Sequence, residues 1–235
     1  MSVKKVMYKK KKILALITAR GGSKGIIKKN IKLLGRKSLI CWTIDAALQS
    51  KHVDRLILSS DDSEIIEIAR MANCEVPFTR PKYLAEDETS SMDVIMHALD
   101  QLEEEYDYLL LLQPTSPFRT AQHIDNIITT CLDQECGMMI SVARLKKHPM
   151  FMFRLDGPHL KAFMDSQQQL RRQDMPPAYE HNGALYLAEI DLLKRVKSFN
   201  IPEACAFIMT GVANLDIDDQ QDWQYAEFLI EKGQV

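Results

Sequence analysis

The chain has 235 residues, of which 46% are hydrophobic and 26% are charged, and these are ordinary values for a folded globular protein. Its length favours one large α/β domain with an excursion over two separate folds. Thirty basic and 32 acidic side chains give a formal net charge of −2, which excludes an overall positive field for holding nucleic acid. Any site for an anion must therefore be local.

Short apolar runs alternate with longer segments of helical period along the chain. This alternation is typical of βαβ units around a mostly parallel sheet flanked by helices. The predicted strands cover residues 13–19, 55–59, 75–79, 108–112, 138–142, 184–188 and 206–209. The predicted helices cover residues 38–50, 62–72, 90–104, 122–132, 191–196 and 220–232. Residues 108–112 are all apolar, which predicts a strand at the centre of the sheet.

The alternation of strands and helices is interrupted after the strand at 138–142. Residues 151–163 alternate around Asp156-Gly157, which predicts a hairpin, and an irregular stretch with a Pro-Pro pair follows it. We read this region as an inserted, small subdomain. The expected organisation is a flexible basic tail at 1–12, an α/β domain formed by 13–145 and 183–235, and the inserted excursion at 146–182.

The sequence predicts a cytoplasmic protein without a membrane partner. No segment approaches the roughly 18 apolar residues of a membrane span, and the apolar run at 13–19 is too short for a signal peptide. The cysteines are odd in number and far apart, which predicts reduced thiols rather than a disulfide framework. They are Cys41, Cys74, Cys131, Cys136 and Cys205.

A glycine-rich, basic loop follows the first predicted strand. It contains Gly21, Gly22 and Gly25 among the cations Arg20, Lys24 and Lys29. In an open α/β sheet such a loop is a common ligand site, because glycines allow backbone N–H groups to approach phosphate oxygens. The composition predicts a triphosphate clamp, although the spacing is neither that of a Walker A loop nor that of a dinucleotide fingerprint. The alternative is a solvated basic turn.

A turn stiffened by two prolines follows the strand at 108–112. It places Gln113 at the carboxyl end of a buried strand, where site residues of α/β folds collect. Prolines restrict the backbone, so a neutral amide there is well placed to face a polar ligand. The alternative is a plain β-to-α turn with Arg119 at its rim.

Two carboxylates lie two residues apart near the end of the chain. Asp216 and Asp218 share one face if the segment is extended. Carboxylates that face phosphates suit Mg²⁺, which prefers hard oxygen ligands and keeps several waters. The alternative is that Asp218 or Asp219 merely caps the final helix.

Taken together, four segments resemble the acylneuraminate cytidylyltransferases, also called CMP-sialic acid synthetases. The segments are 19–25 (ARGGSKG) with Lys29 and Asn30, 112–119 (LQPTSPFR), 182–186 (NGALY) and 216–218 (DID). The likeness covers nearly the whole chain after Lys12. It implies a Rossmann-like nucleotide-diphospho-sugar transferase fold and a homodimer that swaps a small subdomain. It also implies the reaction of CTP with a nine-carbon 2-keto sugar acid to give a CMP-sugar and pyrophosphate.

The resemblance also implies roles for residues that match the family's motifs. On the nucleotide side it implies a triphosphate loop of Arg20, Ser23, Lys24 and Lys29, a ribose contact at Asn30, and a cytosine pocket of Arg80, Ser91 and the Thr89 backbone. On the other side it implies sugar-acid contacts from Gln113 and Arg172 and Mg²⁺ ligands at Asp216 and Asp218. Catalysis would rest on positioning and charge neutralisation, with Arg20, Lys24, Gln113 and Asp218 as the principal groups.

Two departures from the family pattern leave the sugar acid open. Phe151 stands where related sialic acid enzymes often have a lysine, and Glu180, followed by His181, stands where they have an arginine. A related bacterial nonulosonic acid such as legionaminic or pseudaminic acid is therefore an alternative substrate. The motifs also fit a same-fold nucleotidyltransferase for another sugar and a non-catalytic nucleotide-binding domain.

Overall fold

The computed structural model describes residues 5–164, 171 and 175–235. The strands within these residues are β1 Ile13–Thr18, β2 Leu33–Leu34, β3 Lys37–Ser38, β4 Arg55–Ser59, β5 Tyr108–Leu112, β6 Met138–Arg144, β7 Phe153–Asp156, β8 His159–Ala162, β9 Tyr179–Glu189 and β10 Cys205–Ile208. The α-helices are α1 Leu39–Gln49, α2 Ser63–Met71, α3 Ser91–Asp100, α4 Ala121–Asp133, α5 Ile190–Val196 and α6 Gln220–Glu231. No helix in the described part of the chain is long and apolar enough to cross a membrane.

Six strands form one sheet in the order β10-β6-β9-β5-β1-β4. β4, β1 and β5 run parallel, as do β10 and β6, whereas β9 is antiparallel to both of its neighbours. The predicted mostly parallel sheet is therefore confirmed, and β5 lies inside it between β1 and β9. Because β9 runs the opposite way, its early residues reach the edge at which β1 and β5 end.

Helices cover both faces of this sheet. Successive side chains of a strand point to opposite faces, so Ile13 and Ile17 of β1 pack with α1, α2 and α4, and Leu14 and Leu16 pack with α3 and α5. All four of these side chains are fully buried. The apolar composition of β1 and β5 thus follows from burial on both sides, and the polar loops at their ends are left to form a site.

One predicted strand is wrong. Of residues 75–79, only Glu75 makes a bridge, to Ile57 of β4. Pro77 has no backbone N–H, and a proline in this segment prevents a regular ladder beside β4. β9 is longer than the predicted 184–188 and begins at Tyr179, opposite Arg144 of β6.

The prediction of reduced thiols is wrong for two of the five cysteines. Cys136 and Cys205 form a disulfide with a Cα–Cα distance of 6.4 Å. They are 69 residues apart in sequence, and the parallel pairing of β10 with β6 brings them together. Cys41, Cys74 and Cys131 are free thiols, and Cys74 and Cys131 are buried.

The predicted hairpin is present. β7 and β8 pair antiparallel around Gly157, and all their residues are exposed. The hairpin and its flanks carry a series of exposed large apolar side chains: Phe151, Met152, Phe153, Leu155, Leu160, Phe163 and Met164. At the other end of the chain, residues 5–12 contact the main body, for example through Val6 N to Lys51 O and the Tyr8 hydroxyl to Asp133.

Candidate active site

A polar cleft of about 310 Å³ lies where β1 and β5 end. Three segments that are distant in sequence form its wall: the loop after β1, the turn after β5 and the segment before α6. The lining residues are Thr18, Ala19, Arg20, Gly22, Ser23, Lys24, Gly25, Lys29, Asn30, Gln113, Pro114, Thr115, Asp216 and Asp218. The structure therefore brings together eight of the residues predicted from sequence: Arg20, Ser23, Lys24, Lys29, Asn30, Gln113, Asp216 and Asp218.

Buried contacts fix the glycine-rich loop against the carboxylate segment. Asn30 is 8% exposed and donates from Nδ2 to the Arg20 carbonyl at 3.1 Å. Lys29 Nζ donates to the Ile217 carbonyl at 2.6 Å and lies 3.7 Å from Asp218 Oδ1. A Cβ at Gly25 would lie 2.6 Å from the Asp218 carbonyl oxygen, so only glycine allows this approach. The loop cations and the carboxylates consequently share one cleft.

The two outer cations of the loop already have an anionic partner. Arg20 Nη2 lies 2.8 Å from Asp87 Oδ1, and Lys24 Nζ lies 2.6 Å from Asp87 Oδ2. Sequence reasoning missed Asp87, because it stands between Glu86 and Glu88 and nothing local distinguishes it from its neighbours.

Arg119 holds the turn after β5 from inside the protein. It is 2% exposed, and its Nη1 donates to the carbonyls of Gln113 at 3.0 Å and Ala184 at 3.2 Å. Its Nη2 donates to Thr43 Oγ1 at 2.8 Å. Burial lowers the pKa of Arg119 to about 9. Arg119 is thus a buried clamp between β5 and β9 and does not lie at the rim of a plain turn.

Gly183 sets the distance between β9 and the two other walls of the cleft. Its φ is +75°, and a Cβ there would lie 2.8 Å from Asp216 Oδ2 and 3.1 Å from Gln113 Oε1. In the sequence, Gly183 stands out only as part of the NGALY segment. Its role follows from the antiparallel pairing of Leu112 with Leu185, which places β9 beside the turn that carries Gln113.

The two aspartates differ in their surroundings. Asp216 is half-buried, and its Oδ1 is buried without a hydrogen-bond partner in the described part of the chain. Burial raises the pKa of Asp216, and the nearby Asp218 charge adds to the rise, whereas the Thr115 side chain, Lys29 and Arg119 oppose it. The Asp218 side chain is 80% exposed. Asp219, not Asp218, is the N-cap of α6, since its carboxylate accepts from the backbone of Gln221 and Asp222.

This pair fits a hard divalent cation. An unpartnered, desolvated carboxylate oxygen beside an exposed second carboxylate offers the one or two protein ligands that Mg²⁺ commonly takes alongside phosphate oxygens and waters. Among the described residues there is no cluster of three or more His, Cys, Asp or Glu side chains that would bind a metal without a substrate.

The residues predicted for a cytosine pocket lie outside the wall of this cleft. Arg80 is 4% exposed and pairs with Asp61 at 3.2 Å, and Asp61 Oδ1 also accepts from Gly21 N at 3.2 Å. Burial lowers the pKa of Arg80, and Asp61 opposes that effect. The Thr89 hydroxyl donates to the Tyr83 carbonyl, and Ser91 begins α3. Arg80 is thus tied to the glycine-rich loop through one carboxylate.

A larger cleft of about 840 Å³ lies beside the first and shares Asp216 with it. It combines cations of the β6 end with residues of β9 and the loop before α6. Its charged and polar lining includes Arg144, Lys146, Lys147, Glu180, His181, Asn182, Asn214, Asp216 and Asp222. Arg172, predicted to contact the sugar, lies outside the described residues.

Comparison with known proteins identifies the family to which the chain belongs. It matches the Cytidylyltransferase family over residues 14–231. It is 35% identical to the N-acylneuraminate cytidylyltransferase of Escherichia coli over 92% of its own length and 51% of that protein. The chain therefore spans about half the length of this relative, and it spans 52% of the Streptococcus agalactiae N-acylneuraminate cytidylyltransferase.

Other relatives match end to end. The CMP-N,N'-diacetyllegionaminic acid synthase of Legionella pneumophila is 32% identical over 95% of this chain and 98% of that protein. Among solved structures, a CMP:2-keto-3-deoxy-manno-octonic acid synthetase complexed with CTP superposes with a TM-score of 0.71 at 16% identity, covering 94% of this chain and 99% of the other. This likeness confirms the predicted nucleotidyltransferase fold.

Proposed function

The chain belongs to the cytidylyltransferase family, and from that premise and its cleft we propose that it transfers CMP from CTP to a nine-carbon 2-keto sugar acid, with release of pyrophosphate. One observation carries this proposal. The glycine-rich loop with its cations, the amide of Gln113 and the paired carboxylates line a single cleft, although they come from three distant parts of the chain. That is the donor set a nucleoside triphosphate and a divalent cation require.

The proposed reaction is an in-line displacement at the α-phosphate. The anomeric hydroxyl oxygen of the sugar acid bonds to the α-phosphorus, and the bond from that phosphorus to the bridging oxygen of the β-phosphate breaks. Arg20, Lys24 and Lys29 neutralise the charge of the departing pyrophosphate, while Gln113 holds the sugar acid in line. Asp216 and Asp218 would hold Mg²⁺, which when bound acts as a Lewis acid on the phosphate oxygens. The hydroxyl proton passes to a water held by Gln113.

Nucleotide recognition is assigned to the glycine-rich loop after β1 and to the residues that contact it. Ser23 and Lys29 would bind the phosphates and Asn30 the ribose of CTP, and the support for this is that all three line the smaller cleft. The proposed cytosine pocket uses Arg80, Thr89 and Ser91. Its support is the chain of contacts from Arg80 through Asp61 to Gly21, which links that pocket to the phosphate loop.

The larger cleft is proposed to hold the sugar acid. Arg144, Lys146 and Lys147 line it and suit the sugar carboxylate, and they take over from the cations missing at Phe151 and Glu180. Glu180 of β9, which lies opposite Ala143 of β6, also lines it and is an acceptor for amide N–H groups. This pairing, with the end-to-end match to a diacetyllegionaminic acid enzyme, favours a diacylated nonulosonic acid over N-acetylneuraminic acid.

The exposed apolar hairpin is proposed to pair with a second copy of the chain. The hairpin and its flanks expose seven large apolar side chains within a short stretch of sequence, and clustered exposed apolar side chains are typical of interaction surfaces. A homodimer would cover that surface, and Leu155→Asp, which places a charge on it, is expected to yield a monomer in light scattering.

Pyrophosphate release tests the proposed activity. The full chain is incubated with CTP and Mg²⁺ and a panel of N-acetylneuraminic, legionaminic and pseudaminic acids and Kdo. Release with one nonulosonic acid supports the proposal, and CTP binding without release across the panel would favour a binding domain. Asp218→Ala is expected to abolish turnover with an unchanged thermal melt. Asp191→Ala, which removes an exposed carboxylate in α5, is the matched control and is expected to retain turnover.

A further inference from the structure

We propose that Asp87 is a built-in competitor of the triphosphate, which holds Arg20 and Lys24, yields them to CTP, and takes them back as pyrophosphate leaves. The inference rests on the proposed function, because it takes the loop after β1 to be the phosphate clamp. It concerns a residue outside that loop, in the segment between Leu84 and α3.

The geometry is that of an anion bridging two cations. Each carboxylate oxygen of Asp87 takes a different cation, Oδ1 facing Arg20 Nη2 at 2.8 Å and Oδ2 facing Lys24 Nζ at 2.6 Å. These are distances of charge-assisted hydrogen bonds, the same kind that phosphate oxygens make. The cations that the clamp would offer to CTP are therefore the ones that Asp87 contacts, and the two anions compete for them.

The ion pairs of Asp87 with Arg20 and Lys24 are weak enough for a triphosphate to replace the carboxylate, because they are open to solvent. The side chains of Asp87 and Lys24 are 47% and 76% exposed and that of Arg20 is 35% exposed, and ion pairs open to solvent are individually weak. The hydrogen bond from Lys24, with the charge of Arg20, keeps the pKa of Asp87 below its usual range, so the carboxylate is anionic at neutral pH. A triphosphate carries more charge than one carboxylate and displaces it, and the nucleoside of CTP adds further contacts. Pyrophosphate lacks the nucleoside, so the same competition favours its release.

The segment that carries Asp87 also offers a matched control. Glu86 and Asp87 line a shallow hollow with Arg20, Gly22, Ser23 and Lys24, while Glu88, the next residue, is exposed and does not line that hollow. Asp87→Asn and Glu88→Gln remove the same formal charge one position apart. A general electrostatic effect on an anionic ligand would appear in both variants, and competition for the clamp cations would appear only in Asp87→Asn.

Binding is measured with CTP and with inorganic pyrophosphate, each with Mg²⁺, on the wild-type chain and both variants. Asp87→Asn is expected to bind both ligands about 3- to 10-fold more tightly, the change that loss of two weak exposed ion pairs allows, and Glu88→Gln to bind like the wild type. Asp87→Ala is expected to show the same gain. In turnover, Asp87→Asn is expected to show a lower KM for CTP and stronger inhibition by pyrophosphate.

Several results would overturn the assignment. Unchanged or weaker binding of both ligands by Asp87→Asn excludes competition. Weaker binding of CTP alone would mean that Asp87 orders its own segment around the cytosine base. An equal gain in affinity in Glu88→Gln would mean that the effect comes from net charge. If the wild-type chain binds pyrophosphate but not CTP, the proposed function fails, while the pyrophosphate affinity of Asp87→Asn still decides the role of Asp87.

Discussion

Replacing Gly183 by alanine tests how closely β9 must approach the other walls of the cleft. The added Cβ would lie 2.8 Å from Asp216 Oδ2 and 3.1 Å from Gln113 Oε1, well inside ordinary van der Waals contact. Both side chains must retreat by roughly 0.5 Å, because nonbonded atoms are most stable about 3.5–4.0 Å apart. The backbone at φ +75° adds a strain of about 1 kcal/mol for a residue with a Cβ.

The displacement of the two side chains and the backbone strain are expected to cost little stability but much catalytic activity. The free energy of unfolding is expected to fall by about 1–2 kcal/mol, which lowers Tm by roughly 2–8 °C for a chain of this size. Displacement of the proposed metal ligand and sugar-acid contact is expected to lower kcat/KM by about 10- to 100-fold, since catalytic geometry tolerates only about 0.5 Å of error. Thermal melts and pyrophosphate release measure the two effects on the same preparation.

Gly233→Ala is the matched control. Gly233 follows the last helix with φ +62°, and a Cβ there would meet nothing within 4 Å. It is expected to carry the same backbone strain of about 1 kcal/mol or less and to leave kcat/KM unchanged. The reasoning is refuted if Gly183→Ala keeps wild-type kcat/KM, or if Gly233→Ala loses as much activity.

Two further predictions concern a buried charge and a covalent link. Asp216→Asn is expected to abolish turnover yet raise Tm at pH 7, because burial raises the pKa of Asp216 and its ionised form therefore opposes folding. The gain should shrink as pH falls through the raised pKa of the folded chain and vanish below about 3.9, the ordinary pKa of Asp, where the unfolded chain takes up the proton as well. A lower Tm at pH 7 would contradict this reasoning. Cys205→Ser is expected to lower the free energy of unfolding in urea by up to about 4 kcal/mol, because the disulfide with Cys136 closes a separation of 69 residues. A reductant should destabilise the wild type and not this variant; a wild-type chain insensitive to reductant would argue against the pairing.

Local sequence patterns were sufficient to predict most of the strands and helices. The apolar runs of β1, β4 and β5 and the periodicity of α1 and α4 need no knowledge of the rest of the chain, because strand and helix periods are properties of neighbouring residues. The strand predicted at 75–79 failed for an equally local reason, since Pro77 cannot donate to a ladder. The basic glycine loop, the Gln113 turn and the paired aspartates were likewise visible as short motifs.

Which segments become neighbours was decided only by the tertiary structure. The antiparallel course of β9 places Gly183 against Gln113 and Asp216, and the pairing of β10 with β6 joins Cys136 to Cys205. The contact of Asp87 with the loop cations also joins residues more than sixty positions apart. Strand order and register depend on how whole faces are buried against one another, so no local pattern of residues contains them. The sequence alone therefore determined the elements and the chemistry of the motifs, and the sheet determined the distances at which that chemistry acts.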